Sequence, residues 1–192
     1  MHGAQLSNAL GFITVVEHAE HGIFGGYLLL NQLGRPLEFH CTAPLKPSRA
    51  QQILYGPTLK PYLYGEQIAQ ALISAASCVP VVLCTDQLDV LAVRPLKDIP
   101  IALWLPREEC LPASGANDKA PDSHIRFDSA HGLGTNMHTF AVGHHALAVA
   151  AGYATDCERL TAVFAPLGPE FDLREPFGRI REALAEVQRS GR

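Results

Sequence analysis

Five of the nine histidines fall between His124 and His145: His124, His131, His138, His144 and His145. Imidazole titrates near neutral pH and is the commonest metal ligand. With Asp128 added, two kinds of chemistry are open. Asp128, His131 and His138 are candidates for general acid–base work. The same three with His145 are candidates for a divalent metal. A metal needs two to four converging donors, usually spaced i, i+2 on a strand or i, i+4 on a helix. Asp128 and His131 fall on an expected loop, where spacing does not fix geometry. His144 and His145 are adjacent, so extended backbone turns them to opposite faces. His138 and His145 can share a face, but at opposite ends of a hairpin. The expectation is a set of turn histidines with no catalytic role and no cofactor, with a divalent metal as the alternative.

Other residues invite chemistry and are answered by local structure. Cys41 follows His40, and a thiol nucleophile needs a base within reach. Strand neighbours face apart, so His40 cannot serve Cys41, which groups with Leu37 and Phe39 as core. Asp86 and Asp89 flank a turn. Paired carboxylates suit acid–base work or Mg²⁺, but turns favour aspartate for their own hydrogen bonding. Gly132 and Gly134 fit no phosphate-loop pattern. Tyr55, Tyr62 and Tyr64, three of the five tyrosines, flank a helix break at Gly56, Pro57 and Pro61. Tyrosine combines apolar area with a hydroxyl that tolerates water, so these three are the candidate interaction surface.

Composition narrows the class. The 192 residues are 47% hydrophobic and 18% charged, enough to bury a core without a staple. Formal net charge is −4 and no basic run occurs, which argues against a nucleic-acid partner. No segment reaches the length of a membrane span, and the first residues lack the pattern of a signal peptide. Five widely spaced cysteines without C-x-x-C read as reduced thiols, hence a cytoplasmic protein.

The elements that would carry these residues follow from periodicity and turn chemistry. Residues 12–17, 23–31 and 36–42 read as a three-stranded antiparallel meander. Ser48 caps a short helix through Tyr55. A second helix starts near Pro61 with Tyr64, Ile68, Leu72 and Ala75 on one stripe. Residues 79–85, 90–93 and 99–105 read as strands. Residues 137–142 and 145–150 read as a hairpin around Gly143 and His144, pairing Val142 with His145, Phe140 with Leu147 and His138 with Val149. Thr155 opens one helix by a capping box, and Asp172 caps the last, striped by Phe177, Ile180, Leu184 and Val187.

The fold class expected is α+β: a mostly antiparallel sheet built from a β-meander and further hairpins, with helices on one face and two C-terminal helices. Residues 1–106 form the body, 107–123 a mobile loop, and 124–192 a hairpin plus two helices packed on the body, most simply as one domain. The leading functional expectation is a non-catalytic protein-interaction or regulatory module of the cytoplasm. Its partner is a protein or a second copy of itself, with no nucleic acid and no membrane. The alternative is a small hydrolase, metal-dependent or not, using the His/Asp cluster at 124–145.

Overall fold

The computed structural model describes residues 8–106, 123–128, 134–168 and 170–190. Eight strands form one sheet: β1 (Leu10–His18), β2 (Gly22–Leu30), β3 (Pro36–Cys41), β4 (Val82–Thr85), β5 (Ile101–Leu105), β6 (Ser123–Asp128), β7 (Gly134–Val142) and β8 (His145–Ala150). Their order is β3-β2-β1-β4-β5-β8-β7-β6. The meander β1-β2-β3 is antiparallel, as are β5-β8, β8-β7 and β7-β6. The sheet is therefore mostly antiparallel, as its alternating strands imply. Its centre is not, because β1 pairs β4 and β4 pairs β5 in parallel.

Parallel neighbours cannot be joined by a tight turn and need a crossover. The first crossover carries α1 (Arg49–Tyr55), a 3-10 turn, α2 (Leu59–Pro61), a π-helical stretch Tyr62–Ala69 and α3 (Gln70–Ala75). The second is a 3-10 segment, Leu88–Leu96, that buries Val90, Leu91 and Val93. This corrects the expected strand at 90–93. An apolar run of four residues fits either element, and the parallel pairing decides for the helical one.

Helices cover both faces of the sheet, not one. Tyr64, Ile68, Leu72, Val90 and Leu91 pack on Ile13, Tyr27 and Leu29. On the opposite face, α4 (Asp156–Phe164) and α5 (Glu175–Ser190) lay Leu160, Phe164, Phe177, Ile180 and Leu184 on Leu10, Phe12 and Leu28. Gly25 and Gly26 make this possible. A Cβ on Gly25 would sit 2.1 Å from Ile68 Cγ2, and one on Gly26 would sit 2.2 Å from Ile180 Cγ2. Both helical layers thus close onto β2 where it lacks side chains.

The 137–150 hairpin has the expected register, with Gly143 at φ +59° in its two-residue loop. Ser48 caps α1 and exchanges hydrogen bonds with Gln51 in a capping box. Thr155 makes no cap hydrogen bond; Asp156 holds that helix start through Arg94 instead. Val187 ends the α5 stripe half exposed. Cys41 is exposed, with Leu37 and Phe39 also open to solvent. The alternation was sound, but β3 is an edge strand and its apolar side lies beyond the reach of α5. The segment expected as a mobile loop, 107–123, lies almost wholly outside the described residues.

Candidate functional site

In open sheets with parallel strands, ligands settle at the carboxyl ends of those strands. Here that edge is where β4 ends beside the middle of β1, with Ile13 opposite Thr85 and β1 running on to His18. Thr14 is fully buried, and its hydroxyl donates to Asp86 Oδ1 at 2.7 Å. The other oxygen of Asp86 accepts from the Arg181 guanidinium on α5. Asp86 is 10% exposed and Arg181 45% exposed. The carboxylate is thus fixed between a buried hydroxyl and a cation that still faces solvent.

A second carboxylate lies three positions along β1 from Thr14. Glu17 accepts from the Tyr64 hydroxyl and pairs with Lys60 at 2.9 Å. Burial pushes the Tyr64 phenol well above its ordinary pKa, and the hydrogen bond to Glu17 and the charges of Glu17 and Asp89 add to it. Tyr64 is therefore a neutral donor throughout the physiological range. A cavity of about 290 Å³ lies beside these groups, lined by Val16, Glu17, Gln87, Arg181 and Leu184.

Asp86 carries the site although its sequence context fits a plain turn. Thr14 and Arg181 were missed. A threonine inside an apolar strand and an arginine among outward charges on a helix give no signal until β1, β4 and α5 are brought together.

Among the described residues, the sequence-derived candidates do not come together. His138 sits on β7 opposite Val149, while His145 pairs with Val142, four positions along the same strand. That separation is about 13 Å, so the two do not converge. His145 Nε2 donates to the Phe171 carbonyl at 3.1 Å, which ties β8 to the chain entering α5. Its pKa is lowered, chiefly by burial. Backbone pairing sets His124 opposite His138 and Asp128 opposite Gly134, and His131 lies outside the described residues. Tyr55 and Tyr62 stack with ring centroids 4.4 Å apart. Tyr64 is buried and turned into the core, so the three tyrosines do not form one surface. The π-helical stretch rotates Tyr64 inward while Tyr62 stays at the rim.

Among the described residues, no group of three or more His, Cys, Asp or Glu is placed to hold a metal ion. At Asp86 both carboxylate oxygens are engaged, and a divalent cation there would face a guanidinium of like charge. The residues at Asp86 do not fit a metal.

No protein-family model matches the sequence, and no match is found among curated proteins. Solved structures do match. The chain resembles endonuclease V. Human ENDOV aligns over 95% of this chain and 86% of its own, at 13% identity and TM-score 0.46. The catalytic domain of human endonuclease V aligns over 95% and 84%, at 15% identity and TM-score 0.44. Endonuclease V of Ciona intestinalis, in complex with a 23mer DNA containing an inosine followed by a ribo-adenosine, aligns over 74% and 70%, at 9% identity and TM-score 0.38. These likenesses are coarse, and no residue role is carried across from them. They nevertheless run against two expectations. The structures are of endonucleases and one holds DNA, which stands against the expected non-catalytic protein-interaction module and the expected absence of a nucleic-acid partner, and neither expectation is kept. A whole-chain charge of −4 does not describe every surface, because recognition depends on local charge.

Proposed function

We propose that this chain is a nucleic-acid-processing hydrolase whose reactive centre is Asp86 with Arg181. The observation that carries the reading is the Asp86 carboxylate pinned between Thr14 and Arg181 at the carboxyl end of β4, beside β1. A guanidinium presents a planar fork that matches two phosphate oxygens. A phosphodiester that takes one arm of Arg181 frees Asp86 Oδ2. That oxygen then accepts the proton of an attacking water as the water oxygen bonds to phosphorus. Arg181 meets the charge that builds on the phosphoryl oxygens, and the departing alkoxide takes its proton from solvent. Thr14 keeps Asp86 aimed during the exchange.

The test uses labelled single-stranded and duplex DNA and RNA, including an inosine-containing strand, with and without magnesium. Binding is read by fluorescence anisotropy over a salt series, and cleavage on gels. The expected result is binding that weakens with salt and strand cleavage. Asp86→Asn lowers cleavage by roughly a hundredfold or more with binding retained, and Arg181→Ala weakens binding by about tenfold. No binding to any strand at low salt, or cleavage that survives both substitutions, would overturn the reading.

A further inference from the structure

A second cavity lies between the carboxyl end of α5 and the chain that follows β3, meeting the first only at Leu184 and Gln188. Its volume is about 730 Å³, within the range of small-molecule sites. Phe24, Leu184 and Val187 form its apolar walls, and Thr42, His21 and Lys46 form its polar rim. The space follows from the packing. Gly26 lets α5 close onto β2, but β3 lies one strand further out, so the helix end stands off from the sheet edge.

The far wall is built rigidly. Ile23 N donates to Leu45 O at 2.8 Å, and Leu45 N donates to Ile23 O at 2.9 Å. This bridge fixes Pro44 to Lys46 over the cavity. Gly22, at φ +99°, is required there, because a Cβ would meet Leu45 O at 2.5 Å. A site with its wall held by backbone bonds pays little ordering entropy on binding.

Charge selects the occupant. The lining contains lysine and histidine but neither aspartate nor glutamate. The Lys46 ammonium donates to the carbonyl oxygen of Glu20, a neutral acceptor that leaves its positive charge in place. The carbonyls ending α5 disfavour an anion on their side, so a head group belongs on the Lys46 side and an apolar body against Phe24, Leu184 and Val187. We propose that this cavity binds an anionic amphiphile, a drug-sized apolar body carrying one carboxylate or phosphate head, independently of the chemistry at Asp86.

The probe is anilinonaphthalenesulfonate, an anionic apolar fluorophore, titrated into the full chain and then displaced. Competitors are decanoate, decyl phosphate, decanol and decylamine. Decanoate or decyl phosphate should displace the dye at least tenfold better than decanol or decylamine, and the tighter of the two identifies the head group. Val187→Trp fills the cavity from a half-exposed position and should abolish binding, while Lys46→Glu should weaken it by about tenfold, one unit of charge selection. Circular dichroism checks that both variants are folded. Cys41, exposed on the same lining, should react more slowly with a thiol reagent when decanoate or decyl phosphate is bound. Equal displacement by decanol, or dye binding unchanged in both variants, would overturn the proposal. Nucleic-acid cleavage should be the same in both variants, so failure here is separable from failure at Asp86.

Discussion

Arg94 and Asp156 are joined by a buried two-pronged ion pair across the molecule, with Nε to Oδ2 at 2.7 Å and Nη2 to Oδ1 at 3.2 Å. Their side chains are 11% and 3% exposed. The pair clamps the 3-10 crossover between β4 and β5 to the first turn of α4, and the Arg94 guanidinium also lies 4.5 Å from the centroid of the Tyr153 ring. Removing one partner strands the other's charge out of water. Asp156→Ala should therefore cost about 3 kcal/mol, read as a lower urea midpoint. Replacing Arg94 as well should recover part of the loss, because no buried charge remains.

Gly25 and Gly26 should tolerate no side chain. Alanine at Gly26 drives a methyl into Ile180, and at Gly25 into Ile68. Each substitution should cost about 2 kcal/mol by overpacking, measured by chemical denaturation. Gly26→Ala combined with Ile180→Leu should regain stability, since leucine lacks the Cγ2 atom that clashes.

The pH dependence of stability has one identifiable source in His145. Burial lowers its pKa, outweighing the Phe171 carbonyl that favours the cation. A group with a depressed folded pKa binds fewer protons folded than unfolded. Its contribution is present above the ordinary histidine range and is lost as pH falls through the folded value. Tm should decline between about pH 7.5 and about pH 5, and His145→Gln should flatten that decline. An equal slope in the variant would place the effect elsewhere.

Thiol chemistry should separate two cysteines cleanly. Cys41 is exposed, whereas Cys84 is buried with its pKa raised, first by burial and then by the charge of Asp86. The thiolate is the reactive form. In native protein a thiol reagent should modify Cys41 within minutes and spare Cys84 until denaturant is added; mass mapping of the modified peptides checks it.

What was legible in the sequence was whatever depends on near neighbours. The β7–β8 register followed from a two-residue loop at Gly143 and His144, the α1 cap from Ser48 and Gln51, and the meander from strands separated by short turns. Alternation correctly sorted Cys41 with Leu37 and Phe39. It could not say that β3 stands at the edge of the sheet, where the apolar side of a strand has no helix to cover it. The same limit applied to Val90, Leu91 and Val93, whose run of apolar residues is ambiguous until β5 lies parallel to β4 and forces a crossover.

The candidate site shows the division most sharply. The sequence determined that the histidines near His138 and His145 could share a strand face, and it supplied Asp86 as a turn aspartate. Only the tertiary structure decided that those two histidines sit apart, while Thr14, Asp86 and Arg181 meet. Thr14 and Asp86 are 72 residues apart and Asp86 and Arg181 are 95 apart. The hydrogen bonds joining them exist only after β1, β4 and α5 have packed, because local periodicity fixes which way a side chain points but not which distant group it will face.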